Sequence, residues 1–521
     1  MEQKDYVLRE IEKIGTILNA IRQKIFGGKY NPAITLEMQI ENITNMLSDG
    51  MNFDLDYFLG INIEDSKEYI ALFKGFSVEN IELFADCLFQ IGSKEQGNDS
   101  KKYLEKALHL YELCNLKGKT YSFVREENIK TIKNIMKLVL VIISFLCSFQ
   151  LIAQPLERIR PEQAGIDAQH LRYADEVILQ AIADNDIPGA VLAIVYKDKM
   201  AYLKAYGNKQ TYPSVLPMDV NTVFDMASVS KSMSTAVSAM ILVERGKLRL
   251  IDRVNLYIPG FQGNIRIIDL LTHTSGLPPY APVDSLEKLY GAPNPDGLIK
   301  YITSCKRDFE VGKDFQYSCL NYITLQRIIE TVSGMSLKEF AQANIFDVLG
   351  MNHTTYQPEG ETLKRAAPTE KQPDGSVLHG IVHDPLARVM NDGISGNAGV
   401  FSDADDLAML AVALMNGGIY NGKRILSPQG VRVMTTVPES LKQFGRSPGW
   451  DLYSDYASNK GDLFNANTYG HTGYTGTSII IDPDNGIAVI LLANRVHPSD
   501  DGNVVRLRSL VANVVAAAFG R

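Results

Sequence analysis

The sequence predicts a mixed α/β unit preceded by a separate all-helical one, and three observations carry this. Near the start, Leu8, Ile11, Ile14, Ile17 and Leu18 recur at the spacing that places them on one face of a helix. Further on, an extended apolar lead-in, Val223-Phe224-Asp225-Met226-Ala227, gives way to a small-residue helical run, and Ile487–Ala493 reads as a buried strand. Between the halves lies a short apolar segment, 138–153. At 521 residues the chain has room for two or more domains.

Residues 1–135 read as helices throughout. Residues 104–114 resemble a helix of the tetratricopeptide kind, and the opening resembles a small bacterial helical family of unknown function. No catalytic constellation appears there, and an unknown protein partner is the role left open to it. The segment that follows has the parts of a secretory signal peptide: Met136-Lys137, an apolar run, and Ala153 before Gln154. It is short for a membrane span, which needs about 20 apolar residues. Two alternatives stay open. Translation starts at Met136 and cleavage leaves Gln154 first, or two coding units are fused and the segment anchors the chain with its N-terminus inside. Lys130, Lys133 and Lys137 suit that orientation. Lipidation of Cys147 is rejected, because Phe145 and Leu146 precede it where small residues are expected. The expected division is 1–135, 136–154 and 155–521. The last part is expected to be periplasmic or secreted, and the first cytoplasmic if the mature chain retains it.

The chemistry is read from 155–521. Ser228-Val229-Ser230-Lys231 places a serine at the first turn of a helix with a lysine on the same face, so the ammonium reaches the hydroxyl. The helix N-terminus adds positive potential there. A serine so placed is a candidate nucleophile, although serine is also a preferred helix cap. A second copy, Ser285-Leu286-Glu287-Lys288, leads into no long apolar helix and reads as loop surface. Two motifs downstream lift the first copy above a cap: Phe315-Gln316-Tyr317-Ser318-Cys319-Leu320-Asn321-Tyr322, and Tyr469-Gly470-His471-Thr472-Gly473-Tyr474-Thr475-Gly476-Thr477-Ser478.

With these three motifs the chain resembles the serine β-lactamase and penicillin-binding-protein superfamily over about residues 156–521. It looks most like the class C branch, which also holds DD-peptidases and esterases. Leu271-Thr272-His273-Thr274-Ser275-Gly276-Leu277 and Gly399-Val400-Phe401-Ser402 belong to the same resemblance. It implies an antiparallel sheet sandwiched by helices, with strands near 190–197, 201–206, 475–482 and 487–494. It also implies a C-terminal helix over 504–519 and an inserted all-helical region, about 230–400, carrying Tyr317. By the same resemblance Ser228 is the nucleophile and Tyr317 the second basic group, its phenolate favoured by Lys231 and His471 as cations. The Ser228 and Tyr474 N–H groups form the oxyanion hole. On its own pattern Tyr317 reads better as a core tyrosine beside Phe315 and Tyr322, and the resemblance is what makes it a catalytic candidate.

His471-Thr472-Gly473 stands where the family usually has Lys-Thr-Gly, with Gly473 expected to let substrate approach the strand edge. The second motif departs too. Cys319 stands where Asn is usual, and a thiol is a poor substitute for an amide, which puts amide recognition of substrate in doubt. Tyr206-Gly207-Asn208 matches the usual motif by chance, upstream of the nucleophile, and Asn321 opens the next helix. Cys319, Thr472, Gly473 and Tyr474 are the expected substrate contacts. Arg495 reads either as a partner for a substrate carboxylate or as a surface arginine at a strand end.

His379 and His383, with Asp384, have metal-like spacing, but Gly380 and Pro385 argue for a loop, and no metal or cofactor is expected. The segment Val382-His383-Asp384-Pro385 resembles a family loop near the active-site wall. The net charge of −8 argues against a general nucleic-acid binder, and five scattered cysteines give no disulfide framework. Two readings follow. One is an exported acyl-serine hydrolase acting on an amide, ester or lactam carbonyl, with a D-alanyl peptide or an ester favoured over a β-lactam. The other is a weakly catalytic penicillin-binding sensor, which Cys319 keeps open.

Overall fold

Strands buried on both faces are apolar at nearly every position, and this explains the central runs of the α/β unit. In Ser478–Asp482 and Ile487–Ala493, residues Ile479, Ile481, Ala488, Ile490 and Leu492 face one side. There the helix Ala404–Met415 covers them. Ile480, Ile487, Val489 and Leu491 face the other side, against the helices Arg172–Ala183 and Val505–Ala518. Each side chain is thus fixed to one layer by the two-residue period of the strand.

This is a computed structural model describing residues 2–26, 36–94, 98–118, 122–148, 155–454 and 456–519. The main sheet runs in the order Glu157–Arg158, Lys199–Gln210, Gly189–Tyr196, Ile487–Ala493, Ser478–Asp482, Tyr469–Thr472, Trp450–Asp451, Arg446–Ser447. Its pairings are antiparallel except at one edge, where Glu157–Arg158 lies parallel to Lys199–Gln210. The expected strand over 475–482 begins only at Ser478, because the Gly473 N–H donates to Thr477 O at 2.7 Å and closes a turn first. The helical insertion lies between the short strands Phe224–Asp225 and Val400–Ser402, which pair with each other. Through it runs the helix that follows Ser228. Its first stretch, Lys231–Ala236, has wide π-type turns before Val237–Glu244 becomes regular, a deviation that often marks functional sites. Residues 231–242 are all buried, so their small apolar pattern is that of a core helix, not of a surface one. Trp450, the single tryptophan of the chain, is fully buried beside Tyr469.

The chain divides into two compact units, Met1–Gln150 and Leu151–Arg521. The first holds seven helices among its described residues, with a core that includes Ile14, Leu18, Phe53, Phe84 and Leu110. Ile14 and Leu18 are buried as expected, whereas Leu8 is exposed. Past it, the Glu10 carbonyl lies close against Gly75. The last helix, Phe123–Ser148, continues into the signal-like segment, and residues 149–154 at the end of that segment lie outside the described residues. Among the described residues no helix is long and apolar enough to cross a membrane.

Candidate active site

The nucleophile turn is held in a conformation that side-chain-bearing residues seldom adopt. Ala227 has φ 44°, a left-handed value costing about 1–3 kcal/mol unless the surroundings enforce it. Asp225 enforces it. Its buried carboxylate accepts the Ala227 N–H at 2.8 Å and the His383 N–H at 2.7 Å. Ser228 follows, half-buried. Lys231 is fully buried, and its Nζ donates to Ser228 Oγ at 2.9 Å and to Asn397 O at 2.8 Å, with Cys319 Sγ at 3.7 Å. Burial works against the ammonium, but Cys319 and Tyr317 more than offset it and hold Lys231 above the ordinary lysine value. In this geometry the Lys231 Nζ is a hydrogen-bond donor to Ser228.

Tyr317 stands beside this pair. Its ring stacks between His273 (centroids 4.4 Å, 29°) and Tyr456 (5.0 Å, 27°). The Lys231 ammonium lies 5.0 Å and the Arg446 guanidinium carbon 5.5 Å from its centre. Its hydroxyl is buried with no hydrogen-bond partner of good geometry among the described residues. His273 is neutral: the Ser318 N–H donates to its Nδ1 at 3.1 Å, and burial drives its pKa far down.

The third motif lies on the strand Tyr469–Thr472. His471 is buried, and the expectation that it is a cation is overturned. Burial first, then Arg446 and Lys231, hold it well below the ordinary histidine range. The positive group at this corner is Arg446, buried on its edge strand. It donates from Nη1 to Asp451 Oδ2 at 2.8 Å and from Nη2 to His471 Nε2 at 2.8 Å. Gly473 is required for an internal reason as well. A Cβ there would lie 2.2 Å from Thr477 Oγ1 and 2.6 Å from Met226 O, so what approaches is the protein's own nucleophile segment. Thr475 Oγ1 donates to Asp225 O at 2.7 Å and Thr477 Oγ1 to Met226 O at 3.1 Å, pinning the 473–477 turn to that segment. Among the described residues, neither the Ser228 nor the Tyr474 N–H is engaged, which leaves both available to an oxyanion.

A cavity of about 450 Å³ opens here, lined by Ser228, Tyr317, His471, Arg446, Arg495 and Arg508 among others. The reading of Arg495 as a free partner for a substrate carboxylate is corrected. Its Nη1 donates to Asp500 Oδ1 at 2.6 Å and to Gly502 O, and its Nε to Tyr474 O at 2.7 Å, so its charge is already met. Arg508, which carries no sequence signal, has no acidic partner among the described residues. Its Nη2 donates to Gly473 O at 2.7 Å and Thr477 O at 2.9 Å, its Nε is buried without a partner, and burial pulls it down to about 9. The structure thus brings Ser228, Lys231, Tyr317, Cys319, His471, Thr472, Gly473 and Tyr474 together. His379 and His383 point apart, to Ala366 O and to Glu370. A different group, His353, Asp403 and Asp406, gathers ligand-type atoms within 4.8 Å. There Arg365 donates to His353 Nε2 at 3.0 Å and Asp403 caps the helix Ala404–Met415, the pattern of a charged helix cap.

A beta-lactamase family model matches residues 174–513 of this chain. The chain belongs to the beta-lactamase family. It is 30% identical over 395 residues to a protein of Escherichia coli (strain K12) named "Putative D-alanyl-D-alanine carboxypeptidase", covering 69% of this chain and 90% of that one. It is 32% identical over 391 residues to an N-acetylmuramyl-L-alanine amidase of Bacillus subtilis (strain 168), covering 66% and 87%. Among solved structures, EstCE1, a hydrolase with promiscuous acyltransferase activity, shares the fold with TM-score 0.55 at 24% identity, over 67% of this chain and 99% of that one. The beta-lactamase-family chain is accordingly a hydrolase, with the expected sandwich and inserted helices.

Proposed function

We propose that the α/β unit is an exported acyl-serine hydrolase that cleaves an amide or ester bond next to a free carboxylate in a cell-wall-derived peptide. The observation that carries it is the 2.9 Å contact between Ser228 Oγ and a fully buried Lys231. In the step this supports, Ser228 Oγ attacks the carbonyl and its proton passes to Tyr317 as phenolate. The Ser228 and Tyr474 N–H groups take the oxyanion. Tyr317 then returns the proton to the leaving amine or alcohol, and water releases the acyl group from Ser228. The uncompensated Arg508 supports the carboxylate, since a buried cation lacking a counter-ion is costly until a ligand supplies one. The names of the E. coli and B. subtilis relatives support a peptide from the cell wall. The basic-flanked segment 136–154 supports export, whether by cleavage before Gln154 or as an anchor that leaves the helical unit inside, free for a protein partner.

Cys319 favours a second reading, a β-lactam- or peptide-binding sensor that deacylates slowly, because its sulfur puts no amide beside Lys231. One experiment separates them. The full chain is incubated with a fluorescent penicillin, a D-Ala-D-Ala peptide and a short-chain nitrophenyl ester. Turnover of peptide or ester supports the hydrolase, a stable adduct on Ser228 the sensor, and no adduct with any probe removes both. N-terminal sequencing of protein from its host tests export: a mature start at Gln154 supports cleavage, and retention of residues 1–135 supports the anchor.

A further inference from the structure

We infer that Arg446 is the positioning residue of the third motif: it fixes His471 as a neutral ring protonated on Nδ1 and holds in its own guanidinium the positive charge that the motif otherwise lacks. The tautomer follows from the two bonds of the ring. A guanidinium only donates and a carbonyl only accepts. Arg446 Nη2 therefore donates to Nε2, and Nδ1–H donates to Thr472 O at 2.8 Å. Every charged group that faces His471 also opposes a second proton. Arg446 comes from the edge strand, Lys231 from the core helix and Arg508 from the C-terminal helix. The other neighbours are the Tyr317 ring, centroids 6.1 Å away, and neutral His273. The one acid in the cluster, Asp451, lies behind Arg446 and is bonded to it.

The consequence is a charge that does not vary with pH. A free histidine changes charge near pH 6.5, whereas arginine stays protonated. Only the catalytic side of this rests on the acyl-serine reading, and NMR reads the ring without it. The full chain is labelled with 15N-histidine and His471 is assigned by loss of its signals in His471→Gln. The expected result is an Nδ1–H tautomer with no titration between about pH 5.5 and 8. In Arg446→Gln, His471 is expected to titrate inside that window, and Arg446→Lys is expected to restore its silence. Where the hydrolase turns over, kcat/KM of Arg446→Gln for a carboxylate substrate falls as pH rises through that new titration, a limb absent from the native profile. Should Arg446→Gln fail to fold, Asp451→Asn keeps the guanidinium and His471 stays silent. Titration of His471 in the native protein or in Asp451→Asn overturns the inference, as does continued silence in a folded Arg446→Gln. Absence of any Ser228 adduct would remove the acyl-serine reading alone.

Discussion

Adding one methyl group at Gly473 should disable the site while leaving the fold standing. The Cβ of Gly473→Ala would meet Met226 O at 2.6 Å and Thr477 Oγ1 at 2.2 Å, with Ala227 Cβ at 3.3 Å. An ordinary carbon contact is about 3.5 Å, so the 473–477 turn must retreat from the nucleophile segment by somewhat under 1 Å. Overpacking of this kind costs about 1–3 kcal/mol, which shifts the melting temperature of a unit this size by only roughly 1–1.5 °C per kcal/mol. Activity should suffer more. The same retreat moves the Tyr474 N–H away from the Ser228 N–H, and a 1 Å misplacement costs about 100-fold in rate. Steady-state kinetics with a nitrophenyl ester and thermal unfolding monitored by circular dichroism measure the two effects. Thr477→Ala added to Gly473→Ala removes the hydroxyl clash but not the main-chain one, so it should recover only part of the rate. A folded Gly473→Ala enzyme within about threefold of native activity would show that the turn is not held against the nucleophile as described.

Ser228→Ala should abolish both turnover and covalent labelling, read by intact mass; an adduct on that variant, or on Ser285, refutes the nucleophile. Arg508→Lys loses the planar fork while keeping a charge, so kcat/KM should fall about 10-fold or more for a carboxylate peptide and far less for a neutral ester; equal losses would make Arg508 a scaffold residue only.

What was legible in the sequence was whatever has a spacing. Ser228 and Lys231 are one helical turn apart, and the motif strands and the C-terminal helix follow from periodicity and resemblance. At Gly473 the sequence signals a close approach but not that the nucleophile segment is what comes close. Arg446 and Arg508 were missed because arginine gives no local signal of burial; one is met by Asp451 on the next strand and the other by two carbonyls. The charge of His471 was misjudged for the same cause. A ring's protonation depends on neighbours brought from 25 residues away in the chain, and none of them is visible in His-Thr-Gly itself. The two readings of Arg495 stay open in the sequence because its partner, Asp500, lies in a loop with no pattern.

The lone tryptophan gives the two units separate optical signatures. Trp450 is sealed beside Tyr469, next in the chain to Asp451 and hence to the Arg446 pair. Its fluorescence belongs wholly to the α/β unit, while the helical unit, rich in tyrosine and phenylalanine, contributes far-ultraviolet ellipticity but no indole emission. Denaturant titrations of the intact chain followed by both signals would therefore resolve whether the units melt together or one after the other, without cutting the chain or attaching a dye.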